Sequence, residues 1–198
     1  KDGVALLIDC GANVDARPEH LVQFAQMGSL YYENVMGKKN PTVALLNIGT
    51  EEEKGNQLVK DTKPLMKECK NINYIGSVEA RELVSGAADV IVCEAFVGNV
   101  VLKFFEGLAL TLFGSLKEGL MSSTRTKLGA LLVKPALKGL KNQFDTSSQG
   151  GAPLLGLKGL VVKAHGNSSS KEIEIALKQC ISFKKQKINE KIKESICD

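Results

Sequence analysis

Val4-Ala5-Leu6-Leu7-Ile8-Asp9-Cys10-Gly11-Ala12-Asn13 sets five apolar residues in a row and then turns abruptly small and polar. An apolar run of that length, with no polar residue alternating through it, suits a short strand covered on both faces, as in a parallel sheet. The pattern recurs along the chain. Thr42-Val43-Ala44-Leu45-Leu46 closes on Asn47-Ile48-Gly49-Thr50-Glu51, and Ile72-Asn73-Tyr74-Ile75 ends at Gly76. Val90-Ile91-Val92 runs into Glu94-Ala95-Phe96-Val97-Gly98-Asn99. Between these runs lie helical patterns. One begins at Pro18, a residue suited to a first helical turn, and carries Leu21, Val22, Phe24, Ala25 and Tyr31. A second covers residues 58–69 and a short third covers residues 78–84. Strands alternating with helices at this spacing predict βαβ units, a mostly parallel sheet and an α/β fold.

Each predicted strand end is rich in Gly, Asn, Asp or Glu. In an open parallel sheet, ligands collect at the edge where the strands end. Any one of these turns reads equally well as a helix cap or a tight turn. Several of them on one edge point to a site.

Residues 150–172 read GGAPLLGLKGLVVKAHGNSSSKE. The glycine pair Gly150-Gly151 precedes Leu160-Val161-Val162, a predicted strand that stops at Lys163-Ala164-His165-Gly166. Four small polar residues then lead into a helix, with Ser169 and Glu172 at capping-box spacing. The N–H groups and dipole of a helix start favour an anion, so this segment reads as one wall of a phosphate or oxyanion site. The last helix is expected to turn Leu177, Ile181, Ile188, Ile192 and Ile196 toward a core.

Residues 100–120 predict a long apolar helix. Residues 119–144 contain no acidic residue; they set Arg125, Lys127, Lys134, Lys138 and Lys141 among Leu128, Leu131, Leu132 and Val133, and Pro135 is expected to divide them into two helical pieces. A basic amphipathic hairpin of this kind binds an anionic membrane surface or an acidic partner. Composition leaves open a second reading, a hairpin that forms a dimer or covers a core with its lysines merely solvated.

Composition narrows the function classes. The chain of 198 residues is 43% hydrophobic and 24% charged, ordinary values for a globular domain. Aromatics are only 5%, with no Trp, which argues against a base-stacking nucleic-acid platform. A net charge of +4 is too small to imply a polyanion by itself. The five cysteines are scattered without a CxxC, so neither a disulfide framework nor a metal site is expected, and a reducing cytoplasm is the simpler setting. No signal peptide and no apolar run long enough to span a bilayer is read in the sequence.

Several motifs fail. No Gly-x-Gly-x-x-Gly follows the first strand, no complete P-loop is present, and no Gly-x-Ser-x-Gly elbow exists. Of the two histidines, His20 lies at a helix start and is expected to cap or pack. His165 is the better functional candidate, with a structural histidine as its rival. The remaining inventory is Asn13, Asn47, Lys54, Asn99, Lys103 and His165, groups that donate hydrogen bonds or positive charge. It suits a reaction whose nucleophile is the substrate. Phosphate is anionic near neutral pH and needs placement more than deprotonation. A carbonyl under attack needs donors for its oxyanion, and a thiolate leaving group, with a free pKa of about 8.5, needs little acid help.

The run from Leu6 to Asp15 with Pro18-Glu19-His20-Leu21 behind it resembles the phosphate acyltransferases of bacterial phospholipid synthesis, the PlsX family. So do Asn47-Ile48-Gly49-Thr50-Glu51 with Lys54-Gly55, Gly98-Asn99-Val100 with Leu102-Lys103, Gly150-Gly151-Ala152-Pro153-Leu154-Leu155-Gly156 and Lys163-Ala164-His165-Gly166. The resemblance implies a three-layer α/β/α fold related to phosphotransacetylases and isopropylmalate-type dehydrogenases. It implies transfer of a fatty acyl group from acyl carrier protein to inorganic phosphate, without an organic cofactor. It also implies a homodimer on the cytoplasmic face of the membrane, with the hairpin at residues 119–144 serving both contacts and a downstream glycerol-phosphate acyltransferase as a possible partner. The chain departs from the family at Glu94-Ala95, where Asp-Gly is usual, and at Gln149, where Tyr is usual.

On this reading residues 1–198 are a single α/β domain, the carboxy-terminal part of a longer catalytic unit. His165, Asn99 and Lys103 are its expected catalytic residues. Asn13, Asn47, Glu51, Lys54, Gly98, Gly150, Gly151 and Gly166 are expected to bind phosphate or substrate, and Leu128, Leu131, Leu132 and Val133 to touch the membrane. The alternatives are an inactive membrane-docking or dimerising fragment and a short-chain phosphotransacetylase acting on acyl-CoA.

Overall fold

A computed structural model describes residues 5–143 and 150–196. Val4, Phe144, Gln149 and Cys197, which enter the readings above, lie outside these residues. Four strands, β1 (Leu6–Ile8), β2 (Thr42–Asn47), β3 (Asn73–Glu79) and β4 (Val90–Val92), form one parallel sheet in the order β1-β4-β2-β3. Helices α1 (Pro18–Met36) and α2 (Gln57–Glu68) make the first crossovers. After β4 come α3 (Ala95–Met121) and α4 (Thr124–Gln143), then a two-stranded antiparallel ribbon of β5 (Ala152–Pro153) and β6 (Val162–Lys163). Helices α5 (Ser170–Gln186) and α6 (Ile188–Ile196) end the chain.

The two inner strands explain the layering. Val43, Leu45, Val90 and Val92 face one cluster, packed against Leu21, Phe24 and Ala25 of α1, Met66 of α2, and Ile188 and Ile192 of α6. Ala44, Leu46, Ile91 and Cys93 point the other way, into a smaller cluster with Val78, Leu83, and Val97 and Val101 of α3. Alternate residues thus bury on opposite faces, so the strands need to be apolar throughout, and each fully buried Val, Leu or Ile contributes about 1.5–3 kcal/mol. The result is the three-layer α/β/α arrangement with a parallel sheet. Asp89 pins the entry to β4. Its carboxylate accepts from the Thr42 N–H and hydroxyl, each at 2.8 Å, and from Lys38 at 2.7 Å. Burial opposes ionisation there, but these hydrogen bonds outweigh it and hold the carboxyl below its ordinary range.

Several boundaries differ from the sequence expectation. β3 does not end at Gly76 but runs on to Glu79. Gly76, at φ +104°, sits where the pairing with β2 shifts between Val43 and Leu45, and the strand resumes with Val78 opposite Leu46. Only a single 3-10 turn, Ala80–Glu82, remains of the helix expected at residues 78–84. Pro135 does not divide the hairpin. α4 runs through it, on an exposed helix where water can solvate the carbonyl that loses its partner. The break falls at Ser122 and Ser123, where Ser123 Oγ accepts from the Thr126 N–H and Thr126 Oγ1 accepts from the Ser123 N–H. The C-terminal helical pattern breaks at Lys187, whose φ is +54°. Ile188 and Ile192 reach the core, but Leu177 is 61% exposed and Ile181 56% exposed, because α5 turns Ala176 and Phe183 inward instead.

α3 and α4 pack on each other as a hairpin. Of α3 only Ala95 and Gly98 are buried, while Phe104, Leu110 and Leu112 are exposed. On α4, Leu128, Leu131, Leu132 and Val133 are exposed as well, Leu132 at 84%. Contrary to the reading of the sequence, α3 is long and apolar enough to cross a membrane, judged by length and composition alone.

Candidate active site

Because the four strands are parallel, the loops after β1, β2 and β4 leave the sheet at the same edge. The loop after β1 is organised by Asp9, whose residue is buried. Its Oδ1 accepts from the N–H groups of Gly11 at 2.9 Å and Ala12 at 3.0 Å. Its Oδ2 accepts from the N–H of Asn13 at 2.7 Å and from Asn13 Nδ2 at 3.3 Å. Successive N–H groups in such a turn form a concavity that favours an anion, and this chain supplies the anion itself. The carbonyl of Asn13 in turn accepts from the Ala95 N–H at 3.1 Å, tying the loop to the start of α3.

Gly98 lets α3 lie directly on this loop. A Cβ there would stand 1.9 Å from the Asp9 carbonyl oxygen. One residue on, Asn99 is exposed, and its Oδ1 is 3.9 Å from where a Cβ of Gly11 would be. Lys103 follows one turn later on the same helical face, exposed, with its Nζ 3.0 Å from Glu106. The helix start is already occupied. The Glu94 carboxylate accepts from the N–H groups of Phe96 and Val97, and the Gly98 N–H donates to the Glu94 carbonyl at 3.0 Å. That cap is why α3 begins at Ala95 rather than near Val100.

The loop after β2 is closed in a complementary way. Asn47 is buried, and its Nδ2 donates to the carbonyls of Gly49 at 2.9 Å and Lys54 at 3.1 Å. Lys63, buried on α2, donates to the carbonyls of Glu51, Glu52 and Lys54. The side chains of Glu51 and Lys54 are left exposed at the edge.

Gly150, Gly151, His165 and Gly166 lie on and beside the β5-β6 ribbon, outside the parallel sheet. The expected strand at residues 160–162 is not in the parallel sheet, because the chain folds back on itself and Leu154 N–H donates to the Val161 carbonyl at 2.9 Å. Gly150 and Gly151 serve close packing. A Cβ on Gly150 would meet the Ala176 nitrogen of α5 at 2.7 Å, and one on Gly151 the Lys163 carbonyl at 2.8 Å. His165 is exposed, with its N–H bonded to Ser168 Oγ at 3.0 Å, and Gly166 is exposed beside it. Ser169 and Glu172 make the capping box read from their spacing. His20 takes the helix-start role, its Nδ1 accepting from the Arg17 N–H at 3.2 Å.

Two thiols stand near the edge and neither suits a nucleophile. Burial first, and then the neighbouring Asp9, push Cys10 up to about 11. Burial pushes Cys93 up further, helped by Cys10, Glu94 and Asp9. Among the described residues no group of three or more His, Cys, Asp or Glu could hold a metal ion. Sequence reasoning assigned no role to Asp9 or Lys63. Each left a signal: a carboxylate directly after an apolar strand and before three small residues, and a lysine on the helical face shared by Val59 and Met66.

A model of the family described as "Fatty acid synthesis protein" matches residues 1–191. The chain is 50% identical over 196 residues to proteins named phosphate acyltransferase from Clostridium novyi (strain NT), Caldicellulosiruptor bescii and Brevibacillus brevis. These alignments cover 99% of the chain and 59%, 59% and 58% of the three relatives. The chain therefore spans under two thirds of their length.

The packing at Gly98 yields a paired test. Gly98→Ala forces α3 away from the Asp9 carbonyl and should destabilise the fold by about 1–3 kcal/mol. Gly107→Ala, on the same helix with nothing within 4 Å, should instead stabilise it by up to about 1 kcal/mol. Denaturant midpoints of the two variants measure the difference, and equal shifts would contradict the packing role.

Proposed function

The chain belongs to the fatty acid synthesis protein family, and on that premise we propose that it is the carboxy-terminal portion of a phosphate acyltransferase. The enzyme transfers a fatty acyl group from acyl-[acyl carrier protein] to inorganic phosphate. A phosphate oxygen attacks the thioester carbonyl carbon, the C–S bond breaks, acyl phosphate forms, and the carrier thiol leaves as thiolate and takes a proton from water. The observation that carries this reading is the approach of Asn99 to Gly11 at the carboxyl edge of the sheet, beside two thiols whose burial disfavours the thiolate. Donors are available there for an anion and a developing oxyanion, and the attacking group is the substrate's own.

In this reading Asn99 Nδ2 donates to the oxyanion or phosphate, and Lys103 and Lys54 contribute positive charge. Asn13, Asn47, Gly98 and Glu51 shape the edge that receives the substrate. His165, with Gly150, Gly151 and Gly166, forms an opposing wall. Residues 1–198 act as one α/β domain of a longer catalytic unit, a reading supported by the 59% share of the relatives' length. The protein works as a homodimer on the cytoplasmic face of the membrane, delivering acyl phosphate to a glycerol-phosphate acyltransferase. The exposed apolar and basic hairpin of α3 and α4 supports membrane or subunit contact. It also favours the second reading, that this chain alone is a docking fragment without turnover.

In enzyme expressed from the complete reading frame, Asn99→Ala should lower kcat/KM for acyl phosphate formation by about 10²–10³, the usual effect of removing one oxyanion donor. His165→Ala should lower it as well, with the thermal midpoint unchanged. Full turnover in both variants would overturn the site. Acyl-carrier substrates should outperform acyl-CoA, and the reverse preference would identify a short-chain phosphotransacetylase. Phosphate-dependent thioester cleavage by the 198-residue chain would exclude the docking fragment.

The hairpin should bind anionic vesicles in a salt-sensitive manner through Arg125, Lys127, Lys134 and Lys138, with Leu128, Leu131, Leu132 and Val133 inserted. Vesicle co-sedimentation should be lost in the double variant Leu128→Glu, Leu132→Glu. Binding that survives it would contradict insertion.

A further inference from the structure

Lysine is almost never fully buried unless its charge is matched, yet Lys63 is 3% exposed. Its Nζ has no carboxylate partner within salt-bridge distance among the described residues. Three backbone carbonyls converge on it instead, from Glu52 at 2.7 Å, Lys54 at 3.0 Å and Glu51 at 3.1 Å. An ammonium has three N–H donors, so donors and acceptors match one for one. The Lys54 carbonyl also accepts from Asn47 Nδ2, which links the cradle to the last residue of β2. Glu52, on this loop, is paired through its carboxylate with Lys67 at 2.6 Å.

Carbonyl oxygens arranged around a positive charge are how a polypeptide holds a dehydrated monovalent cation. We propose that the Lys63 ammonium is a built-in monovalent cation, folding the loop at residues 47–55 so that Glu51 and Lys54 stand at the sheet edge. Lys63 is thereby a positioning residue for the acyl transfer proposed above, on which its effect on turnover rests. Its side chain touches no reacting atom. Without it the Glu52 carbonyl loses its donor, the Glu51 and Lys54 carbonyls keep only the Lys54 N–H and Asn47 Nδ2, and the loop opens. Arginine is a poor replacement, since a planar guanidinium presents its donors as a fork rather than as a converging tripod.

The test is rescue of Lys63→Ala by ammonium. The full-length protein is compared in ammonium chloride and in tetramethylammonium chloride of equal ionic strength. Hydrogen-exchange protection at residues 47–55 should fall in Lys63→Ala and recover saturably with ammonium, while the wild type responds to neither salt. kcat/KM should fall by at least about tenfold and recover over the same ammonium range, and Lys63→Arg should not be restored. If the loop stays open at every ammonium concentration while the sheet amides remain protected, the cation role is overturned. If Lys63→Ala does not fold without ammonium, folding becomes the readout. Ammonium-dependent folding supports the cradle, and failure to fold in both salts contradicts it. A loop that closes with ammonium while turnover stays low overturns the positioning role alone. If the wild type forms no acyl phosphate, the functional reading fails, and the exchange data still decide the cradle.

Discussion

The carboxylate of Asp9 is the contact on which the edge of the sheet depends. It gathers the N–H groups of three successive residues, Gly11 to Asn13, and so turns the chain sharply at the end of β1. The turn presents the Asn13 carbonyl to Ala95 and the Asp9 carbonyl to Gly98, and α3 is seated against both. Across the sheet, Lys63 does the inverse for the loop after β2. One loop is a cluster of donors closed around a buried anion, and the other a cluster of acceptors closed around a buried cation. Around these two closures the side chains of Asn99, Lys103, Glu51 and Lys54 are left exposed.

This changes what kind of anion site the edge can be. A bare helix N-terminus would attract phosphate through its free N–H groups, but Glu94 already sits on those of α3. On the proposed reading, a phosphate at this edge is held by Asn and Lys side chains, whose positions are set by how firmly the two loops are held. The hairpin poses a separate problem. α3 and α4 together expose more apolar side chains than an isolated soluble domain ordinarily tolerates, which is why a covering membrane or subunit belongs to the functional proposal.

Much of the fold was legible because its signal is local. Short apolar runs such as Val90-Ile91-Val92, bounded by turn residues, suit strands of a sheet covered on both faces, and β1, β2 and β4 were found from such runs. Errors arose where tertiary packing outweighed local cues. Gly76 looked like a strand end, but Val78 is needed in the second core and the strand continues through the glycine. Pro135 looked like a break, but the exposed helix tolerates it. Leu177 and Ile181 looked like core residues, but α5 turns Ala176 and Phe183 inward instead. The site was harder to read, since its residues meet only through the order β1-β4-β2-β3. Asn99 was legible as a candidate from its place after the fourth apolar run. Asp9 and Lys63 were passed over because their partners are backbone groups, which no side-chain inventory reveals.

A titration of inorganic phosphate followed by backbone amide NMR tests the central claim most directly. The account predicts saturable shifts at residues 47–55 and 95–103, together with the Asn99 side-chain amide, abolished in Asn99→Ala. Shifts that fail to saturate, or that trace only the lysines of α4, would contradict a phosphate site at the carboxyl edge of this sheet.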